Sequence, residues 1–397
     1  MRRALFMTVG TGRKDEKSIK SLAHGLLVSI THYNPDRIVF LGSKESTETI
    51  KSVKRQYYKN RGEELINYEF VTIAKIDEFD ECFERIKDEI GQKEDYEIVI
   101  DYTSGTKTMT MSAAICSMLY HKKLSLVAGK RGVNGIVIPG TEKIVEQSLY
   151  SAYDKILLDR VKNLFNSYRF GEAKTILSQI IVFDEKEKYE KLIDAYDLWD
   201  KFDHKAAFEI LGGIRDERFS QNKSFLGRLN HSKQDRMKFI LADLLNNAFR
   251  RIEEGKYDDA VARLYRAIEL ISQIKLAEEG LNDLSDKKFT MDDLKGRKVD
   301  TSRYEKYADD KGRLKVGLEK KFKLLKDLGW KEADTVYLEN NELKNLLKKR
   351  NNSILAHGLE PMDRATAEDL FEKVRAYARI VLPELDDLMA EANFPKL

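Results

Sequence analysis

The sequence predicts an α/β domain with a mainly parallel, Rossmann-like sheet, followed by a helical connector and an α-helical domain. Three observations carry this. Short β-rich runs alternate with helical stretches through residues 1–150, the β-rich runs stop after about Ser151, and long charged amphipathic helices take over from there. At 397 residues the chain exceeds one compact core, and the expected division is 1–150, 151–235 and 236–397.

The strands are expected at Ala4–Val9, Arg37–Leu41, Ile66–Ile73, Glu97–Asp101, Leu124–Ala128 and Gly135–Ile138. The first follows the basic start Met1-Arg2-Arg3 and runs into Gly10, Thr11, Gly12 and a string of charges, which suits a strand better than a signal peptide. Between the first two strands, Ile19, Leu22, Ala23, Leu26, Leu27 and Ile30 recur at helical spacing, and a second such stretch covers Thr106–Tyr120. Helices of this length between strands imply βαβ crossovers, hence parallel pairing. In the second half, helices are expected at Asp243–Glu254 and Asp258–Leu276, joined through Gly255-Lys256-Tyr257, with Ala260, Leu264, Ala267, Ile268 and Ile271 as the buried stripe. Ser285–Arg313 reads as a long hydrophilic loop or irregular insertion, after which Lys315–Leu328 and Glu342–Arg350 resume as basic helices. The five prolines give no Pro-rich linker, and no internal repeat is legible.

A 42% hydrophobic and 35% charged composition fits a soluble globular protein with a charged surface. The net charge of +3 gives no global argument for nucleic-acid binding, so any such site must be local. Cys82 and Cys116 lie 34 positions apart with no second pair, which leaves no zinc pattern and suggests two reduced thiols in a cytosolic protein. No stretch approaches the ~20 apolar residues of a membrane span, and a cytoplasmic location is the simplest expectation.

Three turns end strands and carry small polar residues: Thr8-Val9-Gly10-Thr11-Gly12, Gly42-Ser43 and Asp101-Tyr102-Thr103-Ser104-Gly105-Thr106-Lys107. In an open parallel sheet, ligands bind beyond the carboxyl ends of the strands, where the strand order reverses. Glycines admit a ligand close to the backbone, hydroxyls and helix N-terminal N–H groups bind phosphate or ribose oxygens, and Lys107 adds a mobile positive charge. Two common nucleotide motifs do not fit. Gly10-Thr11-Gly12 is followed by Arg13, Lys14 and Asp15, so the third glycine of a dinucleotide fingerprint is missing. Gly105-Thr106-Lys107-Thr108 looks like the end of a P-loop, but Ile100 stands where its first glycine belongs.

Near the other end, Arg350-Asn351-Asn352-Ser353-Ile354-Leu355-Ala356-His357 sets an arginine and a histidine seven positions apart. On a continuous helix they would share a face about 10 Å apart along the axis; a helix break or N-cap at Asn351 and Asn352 fits the sequence equally well and would draw them closer. Histidine moves protons near neutral pH and arginine stabilises a phosphate as charge develops. Together they could promote attack of an RNA 2′-hydroxyl on the adjacent phosphorus without a metal. One such pair is thin for a whole site, so two copies meeting across a dimer would suit it. Lys344, Lys348 and Lys349 offer a basic rim for an RNA backbone.

With these residues in view, Asp101–Met109 resembles the signature loop of the CRISPR-associated Rossmann-fold (CARF) sensors. Arg350-Asn351…Ala356-His357-Gly358 resembles the R-x(4–6)-H motif of HEPN ribonucleases, and Arg250-Arg251…Tyr257–Ala267 is similar to an upstream helix of the CARF–HEPN group. The resemblance spans nearly the whole chain and is weakest at 151–235 and 285–313. It implies a type III CRISPR ancillary effector: a homodimeric, metal-independent single-stranded endoribonuclease switched on by cyclic oligoadenylate. Tetra-adenylate is the favoured ring on family frequency alone. Carried over residue by residue, the ligand contacts are Thr8, Gly10, Thr11, Gly12, Gly42, Ser43, Thr103, Ser104, Gly105, Thr106 and Lys107, with Arg131 and Asn134 as weaker additions and Asp101 as an anchor of the turn. His357 becomes the acid/base, Arg350 the phosphate stabiliser and Asn351 an orienting group; the six intervening residues are the long end of the family's spacing. Slow cleavage of the activator by Thr11, Ser104 and Lys107 is a further expectation.

Two rival readings stand beside this one. A sensor whose helical half only docks a partner or DNA should carry a helix-turn-helix with a basic recognition helix, and none is convincing here. A HEPN toxin or nucleotide-modifying enzyme unconnected with CRISPR would have no use for the Asp101–Thr108 loop.

Overall fold

The computed structural model describes residues 2–12, 15–132, 137–232, 235–283 and 288–397. It divides into two compact units, Met1–Ile156 with Ile181–Phe183, and Leu157–Ile180 with Asp184–Leu397.

The first unit follows the expected α/β alternation: β1 (Arg2–Val9), α1 (Glu16–Tyr33), β2 (Arg37–Gly42), α2 (Thr47–Arg61), β3 (Tyr68–Thr72), α3 (Phe79–Gly91), β4 (Tyr96–Asp101), α4 (Lys107–Leu119), β5 (Lys123–Ala128) and β6 (Lys143–Gln147). The sheet order is β3-β2-β1-β4-β5-β6, parallel throughout except for β6 against β5. Because β1 is central, both its faces are covered. Ala4 and Phe6 pack on the α3/α4 side with Cys82, Ile86, Ala113 and Cys116, whereas Leu5, Met7 and Val9 pack on the α1/α2 side with Ala23, Leu26, Ile50 and Val53. Burial on both faces is why its sequence reads as an unbroken apolar run. The order reverses between β1 and β4, so a crevice opens at their carboxyl ends.

The sixth strand is not at Gly135–Ile138. Val137 makes only an isolated bridge to Arg131, residues 135 and 136 lie outside the described residues, and the strand forms at Lys143–Gln147. That segment has only two apolar residues, Ile144 and Val145, flanked by polar ones, so its own signal is weak and pairing with β5 supplies its order.

The second unit takes in the end of α5 (Tyr150–Asn166), then α6 (Phe170–Ser178), α7 (Lys186–Asp200), α8 (His204–Gly212), α9 (Ser220–His231), α10 (Arg236–Glu253) and α11 (Tyr257–Glu278). It continues with α12 (Met291–Leu294), α13 (Leu318–Asp327), α14 (Asn341–Asn351), α15 (Arg364–Val381) and α16 (Leu385–Glu391). A repeat absent from the sequence reading appears here. The turns α5–α6, α7–α8 and α10–α11 each pass through one residue of positive φ, Tyr168 at 62°, Phe202 at 64° and Gly255 at 74°. Five residues on sits a buried alanine (Ala173, Ala207, Ala260), and four further a buried leucine (Leu177, Leu211, Leu264). Tyr168 and Phe202 are 34 positions apart, a spacing typical of stacked helix–turn–helix repeats. The repeat hides because its marks are a backbone angle and burial, met by Tyr, Phe and Gly in turn.

Of the two expectations for Ser285–Arg313, the irregular insertion is the one that forms. Among its described residues a short helix, α12, starts with a Thr290/Asp293 capping box, and Phe289, Leu294 and Tyr304 are buried with Leu276, Leu314, Leu324 and Leu325. The apolar residues are too irregularly spaced to show a period, which is why the segment reads as hydrophilic.

Buried charge ties the helices of this unit together. Asp243 accepts from Trp199 Nε1 at 3.0 Å and lies 2.7 Å from His204 Nε2, while Asp200 accepts from Arg250 Nε at 2.8 Å and from Arg251 at 2.7 Å.

Candidate functional site

The three strand-end turns of the first unit close around a hollow of about 300 Å³. Gly10, Thr11, Gly12, Ser43, Thr103, Ser104, Gly105 and Thr106 line it, together with Ser46, Leu22, Ile76 and Met109, which the sequence reading did not pick. Ser46 could have been found, three residues after Ser43 and just before α2. Ile76 lies after β3 and carries no local signal.

Side chains latch these turns to one another. Thr8 Oγ1 donates to the Ser104 carbonyl from a fully buried position, and Ser104 Oγ accepts from Gly10 N–H at 2.9 Å. Thr103 Oγ1 accepts from Val127 N–H at 2.7 Å, and Thr106 Oγ1 donates to Ile76 O at 2.8 Å while capping α4. Ser46 and Thr49 donate to the carbonyls of Val9 and Gly10, at 2.7 and 2.9 Å. Several hydroxyls expected to face a ligand are therefore engaged with backbone. Among the described residues the Thr11 and Ser43 side chains are outside these latches, and in the first turn of α4 the Met109 N–H is taken by the Thr106 hydroxyl, which leaves those of Lys107 and Thr108 at the helix start. Gly105 has φ +122°, and a Cβ there would press on Thr8 Cβ at 3.1 Å, so this corner of the hollow requires glycine.

The remaining expected contacts fall elsewhere. Gly42 packs where a Cβ would meet Ser46 Oγ at 2.7 Å and Val9 O at 2.8 Å, which makes it a packing residue behind the hollow. Lys107 is exposed as the first residue of α4 and is not part of the lining. Arg131 is exposed in its bridge to Val137, away from the lining, and Asn134 lies outside the described residues. Asp101 anchors the turn: fully buried, it accepts from Ser29 Oγ and from Thr103 N–H at 2.8 Å. Burial pushes its carboxyl above the ordinary carboxylate range, and those two donors pull it partly back.

In the second unit α14 ends at Asn351, so Arg350 and His357 do not share a continuous helix. The chain folds into a tight turn in which His357 N–H donates to Asn351 O at 3.1 Å, while Ala356 and Gly358 N–H donate to Ser353 O at 3.0 and 3.1 Å. Ile354 and Glu360 close the turn through backbone bonds at 3.1 Å and, to Asn352 O, 3.3 Å. A Cβ at Gly358 would be driven into the Asn352 carbonyl, so only glycine fits there. His357 is exposed and Arg350 half-buried, its guanidinium 4.3 Å from the centre of the Tyr265 ring and 3.2 Å from Asn351 Oδ1. Of the three expected rim lysines, Lys348 and Lys349 are exposed, whereas Lys344 donates to Leu338 O at 2.6 Å. The same turn exposes Ile354, Leu355 and Leu359, the last at 84%.

This arrangement supplies a proton-transfer group and a cation with free N–H donors on one turn, and in the other unit a glycine-lined hollow at a topological switch point. Two family models match the helical half contiguously: a Csm6 6H domain over residues 153–242 and a Csm6 HEPN domain over residues 229–381. Among solved structures, the chain is similar to Enterococcus italicus Csm6 bound to cyclic hexa-2′-fluoro-hexa-dAMP, at 16% identity and a TM-score of 0.68, with 98% of this chain and 97% of that one covered. No curated protein sequence matches.

Proposed function

Because the chain is a CARF–HEPN protein of the Csm6 type, we propose that it is a cyclic-oligoadenylate-activated, metal-independent single-stranded endoribonuclease of type III CRISPR defence. The hollow formed by residues 9–12, Ser43 and 103–106 takes the activator, and the Arg350–His357 turn cuts RNA. The observation that carries the reading is that turn: it brings His357 N–H onto Asn351 O, next to an arginine that no carboxylate pairs with among the described residues.

In the proposed reaction His357 takes the proton of a ribose 2′-hydroxyl, and the 2′-oxygen attacks the adjacent phosphorus. The bond from phosphorus to the 5′-oxygen breaks, leaving a 2′,3′-cyclic phosphate and, after protonation, a 5′-hydroxyl. Arg350 stabilises the charge on the non-bridging oxygens as phosphorus becomes five-coordinate. A second copy of the turn would provide the second histidine that protonates the leaving group. The exposed Ile354, Leu355 and Leu359 support such a homodimer, since they would be covered in it. The domain scheme 1–150, 151–235 and 236–397 belongs to this proposal, as does slow self-cleavage of the activator by Thr11, Ser104 and Lys107. Tetra-adenylate remains the first ring to try, and the six-membered ligand of the similar Csm6 structure makes hexa-adenylate the second.

The test is cleavage of a fluorogenic single-stranded RNA in EDTA with no activator, cyclic tetra-adenylate or cyclic hexa-adenylate. Activity with one ring, lost in His357→Ala, is expected. Silence with both rings from folded protein, or activity that survives Arg350→Ala combined with His357→Ala, overturns the reading.

A further inference from the structure

The Tyr265 side chain lies on α11, 85 positions before Arg350, and the fold lays its ring against the Arg350 guanidinium at 4.3 Å. An arginine side chain has about 2 kcal/mol of rotamer entropy to lose when it is held in one place. Proteins often hold arginine with a carboxylate, which also neutralises it. Among the described residues no carboxylate lies within ion-pair distance of Arg350; Glu269, one turn along α11 from Tyr265, pairs with Arg266 at 3.3 Å instead. What holds Arg350 is the ring face and the Asn351 Oδ1 amide oxygen at 3.2 Å.

The two kinds of contact use different parts of the guanidinium. A cation–π contact occupies its flat face, whereas hydrogen bonds to phosphate leave from its edge. A stacked arginine is therefore fixed in position with its charge intact and most of its N–H fork open. Burial keeps the Tyr265 phenol above its ordinary pKa, with the Glu269 charge adding to the effect. The ring thus stays neutral at working pH and does not compete with the phosphate.

We propose that Tyr265 is the positioning residue for Arg350, holding the guanidinium on its ring face so that the N–H edge meets the scissile phosphate. The inference rests on the nuclease reading above. It predicts that Tyr265→Phe, which keeps the face, retains activity within about threefold of the parent. Tyr265→Leu, which keeps apolar bulk without a ring, should lower kcat about 5- to 30-fold at unchanged KM. Because Tyr265 acts through Arg350, adding Tyr265→Leu to Arg350→Ala should cost no more than Arg350→Ala alone. A purely structural role would instead lower the melting temperature and multiply with Arg350→Ala.

A readout free of activity keeps the two readings apart. In arginine-labelled protein the Arg350 Nε–H resonance, assigned by its loss in Arg350→Lys, should be ring-current shifted in the parent and in Tyr265→Phe, and unshifted in Tyr265→Leu. Absence of that shift in the parent overturns the stacking whatever the RNase assay shows. A shift that is present in a protein silent with every ring tested overturns the nuclease reading and leaves Tyr265 without a reaction to serve. Parent-like kcat in Tyr265→Leu, with an active parent, overturns the positioning role.

Discussion

The two candidate sites are both built on turns, but the turns are held by opposite means. In the first unit, polar side chains lie under and between the strand ends and bond to backbone: Thr8 to Ser104, Ser46 to Val9, Thr106 to Ile76. The hollow is what remains after the turns have satisfied one another. In the second unit, the Asn351–Gly358 turn is closed by its own backbone, and its chemical groups stand outside it, His357 exposed and Arg350 on a ring from another helix. A pocket of the first kind couples recognition to stability, because removing a lining group unlatches a turn. A turn of the second kind can lose its reactive side chains with little cost to the fold.

The largest effect should come from the exposed turn. Arg350→Ala or His357→Ala is expected to lower RNA cleavage by ~10²–10⁴-fold, while unfolding free energy shifts by under ~0.5 kcal/mol for the exposed His357 and by no more than ~1 kcal/mol for Arg350, whose ring contact is lost. Chemical denaturation beside the RNase assay checks both halves, and a large loss of stability in either variant would break the contrast.

Gly358→Ala sharpens it from the other side. A Cβ would meet the Asn352 carbonyl, so the turn itself must rearrange. Loss of cleavage close to that of His357→Ala is expected although no reactive group has been removed, and near-normal activity would show that the turn geometry does not matter.

For the hollow, Gly105→Ala places a side chain at φ +122° against Thr8. It should cost ~1–3 kcal/mol of stability and at least tenfold in activator affinity together, measured by thermal unfolding and calorimetric titration. Loss of affinity with stability unchanged would mean that the latches do not couple the two.

The smallest effect uses the cysteines, Cys82 on α3 and Cys116 on α4, both buried against the sheet. Burial pushes the Cys82 thiol up to about 11 and the Cys116 thiol up to about 12, against ~8.5 for an unfolded thiol. The native state holds these protons more tightly, so their contribution is fully present below pH ~8.5 and is lost as pH rises through the folded values. At pH 8 alkylation should run at least ~10²-fold slower in native than in urea-unfolded protein. As the chain has no other cysteine, that rate reports on the first unit alone. Fast labelling of native protein would show that this unit opens locally.

Much of this was legible in the chain. The alternation of β-rich and helical runs to residue 150 implied a parallel sheet, because strands buried on both faces leave unbroken apolar runs such as Ala4–Met7. The glycine and hydroxyl turns pointed to the strand ends, and Asn351-Asn352 left room for the helix break that forms. These are local matters of period, backbone freedom and capping, and residues carry them wherever they fold.

Other features depended on residues far apart in sequence. Nothing near Ile76 marks it as lining a hollow that also contains Gly105, and nothing near Tyr265 announces a guanidinium 85 positions away. The hairpin repeat was hidden because Tyr168, Phe202 and Gly255 share a backbone angle and no chemistry. Gly42 and Lys107 had the right composition for ligand contacts, yet one is consumed in packing and the other stands exposed outside the lining. Composition at a strand end determines that a polar turn will be there; which of its atoms remain open is settled only when the neighbouring turns have taken their hydrogen bonds.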